Sequence, residues 1–226
     1  MLRVIARLLF DTLLVATLMF VGAGSVDWPQ AWVLLASMSV VRATGAFAVH
    51  RVNPTLMRER SRLRLHDAQP LSDRVLLLGV LATGFLGLPL IAALDVFRWH
   101  LLPAPPTVVA VTGLALFLAG WMLKSLALRA NAFAVTVVRL QTERAHLVID
   151  SGPYGVVRHP FYAADPFVLV GLSLWLGSYV AMLCALVPLG LMVARLTLEE
   201  RFLRAALPGY TEYAAHVRFR LMPGVW

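Results

Sequence analysis

Four apolar runs, near residues 8–24, 30–49, 74–94 and 107–128, constrain this chain more than any other feature. Each approaches the roughly 20 residues that carry a helix across a bilayer. Lipid offers no hydrogen-bond partner to free backbone groups, so such segments must be helical. A fifth stretch, 163–194, is too long for one span and has Gly177-Ser178 at its middle. It reads as two short helices folded back on each other. Hydrophobic residues make up 60% of the chain and charged ones only 14%, which excludes an ordinary soluble domain. The expected fold is an all-α integral membrane protein with about four transmembrane helices plus a C-terminal helical hairpin.

The net charge of +8 is arranged as a topology signal. Arg3 and Arg7 precede the first span; Arg51, Arg58, Arg60, Arg62, Arg64 and Arg74 lie between the second and third. Lys124, Arg129, Arg139, Arg144 and Arg158 lie at or after the end of the fourth, and Arg195, Arg201, Arg204, Arg218 and Arg220 follow the last apolar stretch. Only Arg98 falls on the opposite side. Arginine in alternate loops is the positive-inside pattern, so both termini and any polar site among these loops are expected on the cytoplasmic face of the cell membrane. The same basic surface suits anionic membrane lipid. No basic–aromatic alternation marks a nucleic-acid face, and no metal-ligand spacing is read. The first span lacks a small-residue cleavage signature and is expected to stay as a permanent helix. Cys184 lies within an apolar run, where packing is the expected role. Nineteen arginines against one lysine suggest a GC-rich coding sequence and a bacterial source.

Polar chemistry concentrates in the C-terminal half. Residues 1–128 read as transmembrane scaffold, and 129–226 as the region that carries the chemistry, including the membrane hairpin 163–194. Asp11 and Arg42 sit inside or near spans, where a charge costs roughly 2.5–3.5 kcal/mol on insertion scales, so each is expected to face a partner or water. The loop 50–73 turns at Asn53-Pro54, and an irregular external loop covers 95–106. Residues 129–150 read as an interfacial segment ending in an extended piece at 146–149. An amphipathic helix is expected from about Arg195 to Leu207, ended by Pro208-Gly209, with another short one from Tyr210.

Between the apolar segments lies a turn-rich polar knot, Ser151-Gly152-Pro153-Tyr154-Gly155-Val156-Val157-Arg158-His159-Pro160-Phe161-Tyr162. Pro160 biases His159 away from helix, so a guanidinium, an imidazole and two phenols converge at the mouth of the hairpin. Membrane anchoring alone would not need that break. Arg195 and Glu199, four apart, project from one helix face, and Glu200 follows.

The order of these elements resembles the isoprenylcysteine carboxyl methyltransferase family, integral membrane enzymes that use S-adenosyl-L-methionine. The resemblance runs over residues 141–213: His146-Leu147-Val148-Ile149, Ser151-Gly152-Pro153-Tyr154, Arg158-His159-Pro160-Phe161-Tyr162, then Arg195, Glu199-Glu200, Leu203 and Tyr210-Thr211-Glu212-Tyr213. It implies a cofactor held by His146, Leu147, Val148, Ile149, Tyr154, His159, Pro160, Phe161, Tyr162 and Glu199. Arg195 is implied on the substrate side, and Arg195 and Arg158 are the candidate catalytic residues, because an arginine can clamp a carboxylate in two parallel bonds. Gln141 stands near a further cofactor contact of the family, at a different offset. His159 reads as supplying shape and one hydrogen bond rather than acting as a general base.

The chain departs from the family pattern at Ala163-Ala164-Asp165-Pro166, where glycine is common. Asp165 reads first as a cap for the helix that Pro166 begins, and alternatively as a contact for a cationic or hydroxyl-bearing acceptor. The expected reaction is methyl transfer to a lipophilic small molecule, with a carboxylate as acceptor, at the cytoplasmic membrane face. Three alternatives stand beside it: phospholipid N-methylation, a membrane reductase using a nicotinamide cofactor, and a non-enzymatic scaffold.

Overall fold

The computed structural model describes residues 2–60, 70–136 and 146–226; Arg62, Arg64, Arg139, Gln141 and Arg144 lie outside them. Among the described residues all regular secondary structure is helical, without strands. Five helical rods are long and apolar enough to cross a membrane: Leu2–Ala23, Pro29–Val52, Leu71–Trp99, Thr107–Ala130 and Tyr179–Ala206. The first two are α1 and α2, and the fourth is α6. Short helix α3, Pro54–Arg60, follows α2 directly. The expected turn at Asn53-Pro54 is therefore a break between two helices. Asn53 secures it by donating from Nδ2 to the carbonyls of Leu128 and Arg129, orphan acceptors at the end of α6.

The third rod is not a uniform helix. It opens as α4, Leu71–Val80, widens to π-helical geometry over Leu81–Gly87, returns as α5, Leu88–Leu94, and widens again over Asp95–Trp99. Pro89 accounts for the first widening: it has no N–H to give and would crowd the carbonyl one turn back, so the turn before it relaxes. The rod runs to Trp99, five residues into the expected external loop, and stops at His100 with φ of 48°.

The hairpin's first arm is α7, Pro160–Ala163, followed by α8, Asp165–Trp175. Gly177, at φ of 90°, turns the chain, and the second arm comprises α9, Tyr179–Cys184, and α10, Leu186–Ala206. The hydroxyl of Ser178 fixes the turn twice, accepting from the N–H of Ala181 and donating to Asp95 at the end of the third rod. The helix expected to begin near Arg195 is thus the last three turns of α10. One rod carries apolar residues in lipid and charged ones at its end. The short helix α11, Tyr210–His216, follows the break at Pro208-Gly209 as expected.

Helices α6 and α8 meet backbone to backbone. A Cβ on Gly171 would stand 2.6 Å from the carbonyl oxygen of Gly113 and the backbone nitrogen of Phe117. Small residues let membrane helices meet backbone to backbone, where dispersion and weak polar contacts replace the missing hydrophobic drive. Val168, Leu169 and Leu172 of α8 then join Phe117 of α6, Leu34 and Met38 of α2 and Met192 of α10 in one core. Asp11 and Arg42 are partners, as a buried charge requires, with Arg7 completing the group.

Replacing Gly171 by Ala should lower the thermal midpoint in detergent, since overpacking costs about 1–3 kcal/mol. Gly190→Ala, with nothing within 4 Å of its Cβ, should leave the midpoint unchanged or slightly raised. Equal effects in thermal unfolding would remove the crossing from its place in the packing.

Candidate functional site

The residues that form the knot are local consequences of proline and glycine. Gly152, at φ of 58°, and Pro153 wind residues 152–155 into a single 3-10 turn that buries Tyr154. His159 is non-helical, at φ −128° and ψ 61°, before Pro160, which starts α7 and aims Phe161 and Tyr162 inward. Residues 146–150 have no regular secondary structure. Among the described residues, none hydrogen-bonds the backbone of Leu147, Val148 or Ile149.

Two charge networks join the knot to α10. In the first, Arg195 donates from Nε to Asp73 at 2.7 Å, from one Nη to the Tyr162 hydroxyl at 2.8 Å and from the other to the carbonyl of Thr136 at 2.7 Å. Tyr162 in turn donates to Glu199 Oε2 at 2.6 Å. Burial holds the Tyr162 phenol well above its usual value and the Glu199 charge adds to this, so it stays protonated and able to donate. In the second network, Glu200 takes Arg158 and Arg204 on Oε1 at 2.9 Å each, and Arg220 on Oε2 at 2.6 Å. The imidazole of His159 lies 3.8 Å from the same carboxylate and 3.5 Å from the Tyr210 hydroxyl.

The knot and the acidic doublet therefore meet, and the two arginines are engaged differently. Arg158 gives one Nη to the carbonyls of Val217 and Arg218 and the other to Glu200. Its backbone N–H and that of His159 bind the carbonyls of Phe219 and Arg220. The carboxylate clamp expected of Arg158 is thereby taken up in tying down the C-terminal tail. Arg195 has one N–H left on each Nη, since Asp73, Tyr162 and Thr136 engage the other three. Asp165 is not a cap: the N-terminus of α8 has no side-chain cap bond, and its carboxylate pairs with Lys124 instead.

One cavity of about 360 Å³ collects these groups. His146, Leu147, Val148, Ile149, Tyr154, His159, Phe161, Tyr162, Arg195 and Glu199 all line it, and Pro160 is buried behind them. Its other end is apolar, formed by Val15, Leu34, Phe85, Pro89, Phe117 and Leu172. The widened turn of the third rod, with Leu81 and Gly84, forms part of that wall.

Several lining residues escaped sequence reasoning: Arg60, Trp121, Lys124, Asn131, Phe133 and Thr136, with Asp73 just behind. Asp73 carried a signal, being an acid at the start of a span and buried in the structure. Arg60 carried none, as one arginine among six in its loop. It donates to the carbonyl of Ala134 at 2.7 Å, and its guanidinium lies 4.8 Å from the Phe161 ring centre, with the Lys124 ammonium 3.8 Å from the same ring. Burial lowers Arg60 to about 10, which leaves it a cation at neutral pH. No carboxylate among the described residues pairs with it.

Residues 108–208 match the model of a family described as phospholipid methyltransferase. The chain is also similar in fold to a eukaryotic intramembrane Ras methyltransferase, ICMT (isoprenylcysteine carboxyl methyltransferase), with a TM-score of 0.56 and 18% identity, over 96% of this chain and 74% of that one. Among curated proteins there is no match. The first match overlaps residues 141–213, over which the resemblance was read, and the second bears out the fold it implies.

Glu200→Ala should free the tail, because removing one partner of a buried charge group costs roughly 3–5 kcal/mol. Trypsin should then cut after Arg218 and Arg220 at least about tenfold faster than in the parent protein. An unchanged cleavage rate would mean that the tail is held elsewhere.

Proposed function

We propose that this membrane methyltransferase transfers a methyl group from S-adenosyl-L-methionine to the carboxylate of a lipophilic small molecule, at the cytoplasmic face of the membrane. The observation that carries the reading is the single cavity, polar where the knot meets Glu199 and apolar where it runs among the spans. An amphiphile with a reactive head and a hydrocarbon tail suits both ends at once. The arginine-rich loops support the cytoplasmic side.

The residues present fit the cofactor. The backbone of 147–149, with no partner among the described residues, lines the cavity and offers its N–H and C=O groups to the edge of a heterocycle. His146 stacks on Phe133 with ring centres 4.5 Å apart, which offers an aromatic platform beside it. Glu199 gives one oxygen to Tyr162 and keeps the other to accept from a hydroxyl or an ammonium group. Tyr154, His159, Pro160 and Phe161 supply the remaining wall. When bound, S-adenosyl-L-methionine contributes a methyl group on a sulfonium, open to in-line displacement by an anion.

A carboxylate acceptor is already a nucleophile, so the protein's task is to place it rather than to remove a proton. Arg60, a cation with no carboxylate partner among the described residues, and the Arg195 N–H groups that no described residue engages are the donors that would hold it. Arg195 also orients Tyr162, and through it Glu199, so it links the acceptor side to the cofactor side. Residues 129–226 supply most of the polar wall, while the preceding spans supply the tail's surroundings. Arg158 serves as a brace behind this wall. The apolar end also admits membrane lipid itself, which would reach the site from the bilayer.

Calorimetry on detergent-purified protein should detect binding of S-adenosyl-homocysteine, and its absence at millimolar ligand would end the reading. Glu199→Ala should weaken that binding at least about tenfold. Arg195→Ala should instead keep most of the affinity and lower methyl transfer from labelled cofactor to a total lipid extract by about 100-fold. If neither variant changed binding or transfer, Glu199 and Arg195 would have no part in the site.

A further inference from the structure

Two polar atoms in the cavity wall are buried and unpartnered where the polar end gives way to the apolar one. One is Asp165 Oδ2 and the other is Trp121 Nε1. Asp165 is 8% exposed, and its Oδ1 is engaged by Lys124, whose ammonium also donates to the carbonyl of Phe161 at 3.2 Å. Oδ2 of the same carboxylate has nothing. Trp121 is one turn before Lys124 on α6, so the two side chains are neighbours along that helix, and the Trp121 ring lies 5.3 Å from the Arg42 guanidinium of α2. Trp121, Lys124 and Asp165 all line the cavity.

An anionic oxygen and an indole N–H left unmet in a buried place each cost free energy, roughly 1–3 kcal/mol and more for the charged group. Oδ2 does not cap α8 either. The position along the helices locates the pair. One turn deeper than Asp165 come Val168 and Leu169, then Leu172; one turn deeper than Trp121 comes Phe117. Asp165 and Trp121 thus mark the level at which an amphiphile's head ends and its tail begins.

The charges nearby select the kind of group that fits. Lys124, Arg195 and Arg60 all act on the Asp165 carboxylate, and Arg195 is shared with Glu199 and Asp73. A further cation would upset this balance of three cations and three acids. An anion would meet Asp165 itself. A neutral group that both donates and accepts satisfies the two atoms without adding charge.

We propose that Asp165 Oδ2 and Trp121 Nε1 form an acceptor-recognition subsite for a neutral hydroxyl or secondary amide at the junction of the acceptor's head and tail. The acceptor is then a lipophilic acid bearing such a group near its carboxylate, as in a hydroxy fatty acid or an N-acyl amino acid. A simple long-chain acid and a protonated long-chain amine are the poorer ligands. The assignment deepens the carboxylate reading above and rests on it.

The test uses full-length protein in phosphatidylcholine nanodiscs and calorimetry with five probes: hexadecanoic acid, its 2-hydroxy and 3-hydroxy forms, N-tetradecanoylglycine and hexadecylamine. At least one hydroxy acid or the acylglycine should bind about tenfold more tightly than hexadecanoic acid. Trp121→Phe keeps the ring and removes the N–H. The double variant Lys124→Met with Asp165→Leu replaces a buried pair by apolar groups of similar size, a change often tolerated. Each should reduce the preference to about threefold or less. Binding of S-adenosyl-homocysteine, measured in the same samples, should stay within about twofold, so loss of cofactor binding points to the general reading and loss of preference alone to the subsite. Equal binding of plain and functionalised acids, a preference that survives both variants, or tightest binding of hexadecylamine would overturn the proposal.

Discussion

A guanidinium among transmembrane helices must find its partners inside the protein, and Arg195 finds three. Asp73 comes from the third rod, Tyr162 from the hairpin's first arm and Thr136 from the segment after α6. Four parts of the chain are thereby fixed to one planar cation. Lipid makes this arrangement close to obligatory, since a lone charge there costs far more than the helix can supply. The same constraint orders the rest: Asp11 with Arg7 and Arg42, Asp165 with Lys124, and Glu200 with Arg158, Arg204 and Arg220. Each acid ties together elements that apolar packing alone would leave free to slide.

Packing and charge divide the work by depth. Deep in the spans, the glycines of α6 and α8 bring two backbones into contact, and larger side chains fill the space around them. Near the polar end, aromatic rings and charges take over. Phe161 is covered by both Arg60 and Lys124, and Tyr162 is held by Arg195 against Glu199. The cavity lies along this gradient. Its lining changes from ions to phenyl and indole to aliphatic groups over a few helical turns, which is the profile of an amphiphile.

Much of this was legible in the sequence. The spans, the hairpin around Gly177-Ser178, and the meeting of His159 and Tyr162 with Glu199 and Glu200 follow from apolar run length, turn residues and a resemblance over residues 141–213. Helical spacing placed Arg195 and Glu199 on one face, but it could not say what each would touch. Asp165 illustrates the limit. Before a proline it has the local signature of a cap, yet the ammonium of Lys124, 41 positions away, outcompetes the backbone for its carboxylate. Arg158 shows the same thing: its tail partners lie some 60 positions downstream.

Sequence by itself determined the membrane class and the helical state, because these depend on composition and local backbone preference. Tertiary structure alone decided, among the described residues, which acids each arginine meets and which buried atoms lack a partner. Those outcomes depend on long-range pairing: a charge in a medium of low polarity takes whichever partner the fold brings near, and no local rule names it in advance.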